Sequence, residues 1–121
     1  MMRRKDLIDK IVRCAEDKGW KVDVDTKQSK GLTLFEFSQY TSAGQDFSFT
    51  ATMKVNHLDS LITDMEEYHE GFDVDSEAYL WLDSNGHGKN GAPYRMRDVL
   101  DDMEEAEKMI ETLLDTIKTL E

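Results

Sequence analysis

Six residues, Gly86-His87-Gly88-Lys89-Asn90-Gly91, carry the spacing G-x-G-x-x-G. In dinucleotide-binding folds that spacing brings a backbone close to a pyrophosphate at a helix start. The chemistry needs a buried strand ending directly in the first glycine and a helix opening after the last. Here Asp83, Ser84 and Asn85 precede the motif and Pro93 follows it, and the 30 residues after Gly91 leave no room for a second βαβ unit. No Ser or Thr follows Lys89 directly, so a P-loop is excluded as well. The segment reads as a tight polar loop that reverses the chain before a helix started by Pro93. His87, Lys89 and Asn90 are its candidate recognition residues.

The other constellations fall short of a site. His57, His69 and His87 lie twelve and eighteen residues apart with Cys14 remote from them, which is no zinc spacing. Glu66-x-x-His69 is one copy of a di-iron element that requires two copies and two further Glu. Asp73-x-Asp75-x-Glu77 opens like a calcium loop, but Ala78 stands where Gly is required and Ser84 where the bidentate Glu should fall. No Ser or Cys has a flanking signature of a nucleophile. The reading is of a protein without catalytic residues, metal or cofactor.

What remains is carboxylate. Glu66, Glu67, Glu70, Asp73, Asp75 and Glu77 run along one helix into the next segment. Asp98, Asp101, Asp102, Glu104, Glu105, Glu107 and Glu111 are read as the solvent side of the last helix. The formal net charge is −11. It is unevenly placed: residues 1–58 hold 10 basic and 8 acidic side chains, and residues 59–121 hold 5 basic and 18 acidic. Such a surface repels nucleic-acid phosphate and is steered toward a basic protein surface.

The 121 residues fit one α+β domain, and a lone cysteine points to a reducing, cytoplasmic setting. No apolar run reaches a membrane-spanning length and no secretory signal is recognisable. A first helix is expected from Arg4 to Lys18, with Leu7, Ile8, Ile11, Val12 and Ala15 on its buried face and Gly19 ending it. Trp20, Val22 and Val24 alternate as a strand. A polar turn, Thr26 to Gly31, leads to a strand over Leu32–Ser38 that is apolar on both sides and so lies centrally or under a helix. After a loop over Gln39–Gln45, a third strand alternates from Phe47 to Val55, completing an antiparallel meander. Asn56, with Asp59, should cap a second helix whose buried stripe is Leu58, Leu61, Ile62, Met65, His69 and Phe72. A short segment over Ser76–Leu82 follows, helical at its start, with Tyr79–Leu82 open between helix and strand.

After the Gly-rich loop a long C-terminal helix is expected over about 95–120. Met96, Met103, Ile110 and Ile117 repeat every seven residues, as do Val99, Ala106, Leu113 and Leu120. A helix of roughly 40 Å exceeds the span of a domain this size, so part of it should project or pack on a second copy. The seam serves the chain's own core or a homodimer through Met103, Ile110, Leu113 and Ile117, with the core ranked first.

The element order, acidity and small size resemble a family of small anti-CRISPR proteins that inhibit Cas9 by occupying the cleft that reads the protospacer-adjacent motif. The likeness covers about residues 5–82. It rests on Lys5-Asp6-Leu7-Ile8, Trp20-Lys21-Val22-Asp23-Val24, the loop Gly44-Gln45-Asp46, and the acidic run around Asp73, Asp75 and Glu77. The resemblance implies that Gly44, Gln45, Asp46, Asp73, Asp75 and Glu77 contact the target in place of DNA. The Gly86–Tyr94 segment is similar to that of uncharacterised accessory proteins of bacterial mobile elements. The expected function is an acidic, DNA-mimicking inhibitor of anti-CRISPR or antirestriction type that occludes a basic cleft of a nucleic-acid-processing enzyme. The alternative is a homodimeric scaffold.

Overall fold

The computed structural model describes residues 3–27 and 30–121, so Gln28 and Ser29 of the expected turn lie outside the described residues. The chain runs α1 (Arg4–Asp17), β1 (Lys21–Asp25), β2 (Leu32–Tyr40), β3 (Asp46–Lys54), α2 (Leu58–Glu70), α3 (Val74–Tyr79) and α4 (Met96–Lys118). The strands form an antiparallel meander in the order β1-β2-β3. Phe37 pairs with Val22 on one side and Phe49 on the other. This is an α+β fold with the expected element order, and no helix among the described residues is long and apolar enough to cross a membrane.

Alternation explains the sheet. Phe35 and Phe37 of β2, and Phe47, Phe49, Ala51 and Met53 of β3, are all buried and point to one face. The helices cover that face. Trp20, just ahead of β1, sits edge-on to Phe37, Phe47 and Phe49 at 5.6–6.4 Å between ring centroids. Tyr68 of α2 stacks on Phe49 at 4.8 Å. Leu34, on the opposite face, is half-buried, so the apolar character of β2 on both sides reflects its central place and not a second helix layer. Val24 is exposed because β1 is an edge strand.

The other edge is closed by side chains. Asp64 and Ser60 of α2 accept hydrogen bonds from the Thr52 and Lys54 amides, groups that a bare edge would leave open to another strand. The cap of α2 is His57 and not Asn56, and it makes no side-chain capping bond. Val55 turns the chain into α2 at φ +48, unusual for a β-branched residue, and its amide bonds to the Gly31 carbonyl.

The last helix differs from expectation in a way that decides its role. Its 23 residues give a length of about 35 Å. Buried residues run along it from Val99 to Ile117, so it neither projects nor offers a free seam. It is long because it serves two apolar clusters. Ala106, Ile110, Leu113, Leu114 and Ile117 close the core against the sheet, α1 and α2. Val99 and Met103 pack with Ala78 and Leu82 of the α3 region. Met103, Ile110, Leu113 and Ile117 are fully buried within the chain, so they are unavailable to a homodimer. Burial of this kind stabilises by roughly 1.5–3 kcal/mol per large side chain, and exposing four of them to form a dimer would forfeit it.

Candidate protein-binding site

The end of the β2–β3 hairpin lies against α4. Asp102, 5% exposed, accepts a hydrogen bond from the Thr41 hydroxyl at 2.6 Å and one from the Ala43 amide at 3.4 Å. One turn on, Glu105 accepts from both the amide and the hydroxyl of Ser42. Those two bonds hold the Glu105 carboxyl below its usual range. A buried carboxylate is tolerated only when hydrogen-bonded, and Asp102 satisfies that condition by fixing the hairpin loop. Asp102 is therefore not part of the solvent side of α4, as its charge suggested.

Between the hairpin loop and α4 lies an open depression of about 460 Å³, lined by Ser42, Ala43, Pro93, Asp98, Asp101, Asp102 and Glu105. Phe47, one residue into β3, meets Phe72 edge-on at 5.9 Å, which brings the hairpin end beside the α2–α3 junction. The hairpin end, the start of α3 and the N-terminal half of α4 thus converge. Asp98 and Asp101 are exposed, and neither enters an ion pair among the described residues.

The residues expected to contact a partner separate into two groups. Gly44, Asp46, Glu67, Glu70 and Asp75 are exposed. Gln45 is not: at 2% exposure it lies on the core face, opposite Thr41, and its side-chain amide finds no hydrogen-bond partner among the described residues. The alternation that buries Phe47 also turns residue 45 inward. Two of the acids have structural roles. Glu66 pairs with Lys118 at 3.1 Å. Asp73 caps α3, accepting from the Asp75 amide. Glu77 is half-buried, and burial raises its carboxyl above the usual range. Burial, followed by the neighbouring Glu77 charge, pushes the Tyr68 phenol up to about 12.

No family model, curated protein or solved structure matches this chain. The site therefore rests on its own geometry.

The Gly-rich segment is a built loop, and Tyr79–Leu82 closes α3 with helical turns instead of forming a strand. Asp83 accepts from the amides of Asn85 and His87, which lower its carboxyl below the usual range. Gly88 bridges to Leu82 and donates to the Tyr94 carbonyl. A Cβ at Gly88 would sit 1.7 Å from the Pro93 carbonyl oxygen, so only glycine fits. Helix α4 begins at Met96, with Arg95 and not Pro93 at its cap. His87 stacks on Tyr94 at 4.1 Å, while Lys89 and Asn90 are exposed, Asn90 at φ +55. Among the described residues no group of His, Cys, Asp and Glu side chains is arranged to hold a metal ion.

Sequence reasoning missed Thr41, Ser42 and Asp102. A signal existed for Asp102: counting three and four residues from Val99 to Ala106 puts it inside the apolar stripe, where a carboxylate must have a partner.

Proposed function

We propose that the chain acts by binding a basic protein surface through the acidic ground around the hairpin–α4 junction. The target class is a nucleic-acid-processing enzyme whose cleft ordinarily takes a polyanion. The observation that carries this reading is the attachment of the hairpin loop to α4 by Asp102 and Glu105. It fixes the loop beside Asp98 and Asp101, which enter no ion pair among the described residues. Fixed charge costs less to bring against a partner than charge on a mobile segment, because little ordering remains to be done on association.

The charge balance supports the same reading. Among the described residues no Lys or Arg from residues 1–58 pairs with a carboxylate from residues 59–121. Arg4 is committed to Thr33 and the Leu32 carbonyl. Apart from Glu66, the carboxylates of the second half enter no ion pair among the described residues. Inhibition of a Cas9-type effector at its motif-reading cleft, in the manner of the anti-CRISPR family the chain resembles, is the specific form of the proposal. Gly44, Asp46, Asp73 and Asp75 are the carried-over contacts that remain exposed, joined by Asp98 and Asp101. The test is inhibition of effector–DNA binding at low and high salt, with an Asp98→Asn/Asp101→Asn variant. Loss of inhibition in a folded variant supports the reading; full inhibition by it removes the reading.

A further inference from the structure

His87, Lys89 and Asn90 do not belong to the acidic ground. They lie in a stretch, residues 79–97, that holds three cations (Lys89, Arg95 and Arg97) and one acid, Asp83, whereas the rest of residues 59–121 holds 2 basic and 17 acidic side chains. All three cations are exposed and none enters an ion pair among the described residues.

The same stretch carries much of the exposed apolar surface. Tyr79, Leu80, Tyr94 and Met96 are 78%, 67%, 68% and 47% exposed. The backbone beneath them is braced: the Trp81 carbonyl accepts from the Lys89 amide, Leu82 bridges to Gly88, and Gly88 donates to the Tyr94 carbonyl. Three segments of chain are thus laid side by side, with Tyr94 further held by the stack on His87. Tyrosine and arginine on a preordered backbone are the residue types that anchor interfaces.

We infer that residues 79–97 form a second docking surface, adjoining the acidic one at Pro93 but of opposite charge, for an acidic peptide segment carrying an apolar or aromatic anchor. The sign of the local charge selects the acid, and the exposed Leu80, Tyr94 and Met96 select the anchor. A single-stranded nucleic acid would also meet cations and rings here. A long polyanion, however, must approach a molecule of net charge −11, whereas a short peptide brings few charges and gains from apolar burial.

The experiment measures fluorescence anisotropy of a short labelled peptide alternating Glu with Leu and Trp. The same peptide with Lys in place of Glu, and a labelled oligothymidine, serve as comparisons. The Lys peptide, which the acidic ground attracts, should bind no more weakly in Arg95→Glu/Arg97→Glu, and oligothymidine should not bind. The expected result for the acidic peptide is binding. It should weaken about tenfold or more in Arg95→Glu/Arg97→Glu and in Leu80→Ser, and change less than about twofold in Lys5→Glu, a charge reversal on α1. Near-ultraviolet circular dichroism verifies that each variant is folded. No binding of the acidic peptide, indifference of that binding to the Arg95/Arg97 reversal, or binding of oligothymidine in place of the peptide would overturn the inference.

Discussion

Thr41 and Asp102, separated by 61 positions in the chain, meet through a hydrogen bond of 2.6 Å that fastens the β2–β3 hairpin to α4. Because the acceptor is a buried carboxylate, the contact belongs to the stronger class of hydrogen bonds, worth about 1.5–3 kcal/mol. Asp102→Ala should therefore lower stability by about 1–3 kcal/mol. It should also raise hydrogen exchange at the Ala43 amide while leaving exchange in α1 near its original rate. Denaturant titration and amide exchange read the two effects.

Gly88 supplies a steric test of the Gly-rich loop. Gly88→Ala places a methyl group against the Pro93 carbonyl, and overpacking of that kind costs roughly 1–3 kcal/mol or more. The loop must open to accept it, so the His87–Tyr94 stack should be lost and the ring-current shifts of the His87 protons should disappear. Gly91→Ala meets no neighbour but forces a φ of +86, so it strains the backbone without a clash.

Two carboxyls should give pH signatures of opposite sign. Glu105 is held below its ordinary 4.5 by Ser42, so its contribution to stability is present above that pH and is lost as pH falls through the lower folded value. Glu105→Gln should be less stable than the original chain at pH 7, with the gap closing in acid. Glu77 is raised by burial, so its favourable, protonated form is complete below 4.5 and its contribution is lost as pH rises through the folded value. Glu77→Gln should therefore be more stable at pH 7, with the advantage vanishing in acid. Melting curves across that range distinguish the two.

Ile110 tests what the heptad pattern is for. Its side chain is fully buried within the chain, so Ile110→Ala should cost about 2–5 kcal/mol, and Ile110→Glu should unfold the protein. Sedimentation of the original chain should show no dimer dependent on this seam. A folded Ile110→Glu variant that merely lost a dimer would contradict the packing described here.

Most of the architecture was legible because it follows from periodicity. Phe47, Phe49, Ala51 and Met53 alternate cleanly, and the α1 and α2 stripes repeat at three and four, so element type and buried face could be read directly. The role of α4 was less so. A seven-residue repeat is satisfied equally by a partner helix and by a long intramolecular groove, and the second cluster with Ala78 and Leu82 that accounts for its length depends on contacts distant in sequence. The site was the least legible part. Asp102 looks like any acid on a charged helix until Thr41 is known to face it, and Gln45 looks like a loop residue until the hairpin register turns it inward. Charge counts record how many carboxylates are present. They do not record which of them, like Glu66 with Lys118, are already engaged.

The most direct measurement is a DNA-binding and cleavage titration. A Cas9–guide complex and a restriction endonuclease are each challenged with the protein at about 50 and about 300 mM NaCl. The account predicts inhibition of a basic-cleft enzyme that weakens steeply with salt and is lost in the folded Asp98→Asn/Asp101→Asn variant. Absence of inhibition of either enzyme at the lower salt, or inhibition that neither salt nor that variant alters, would contradict it.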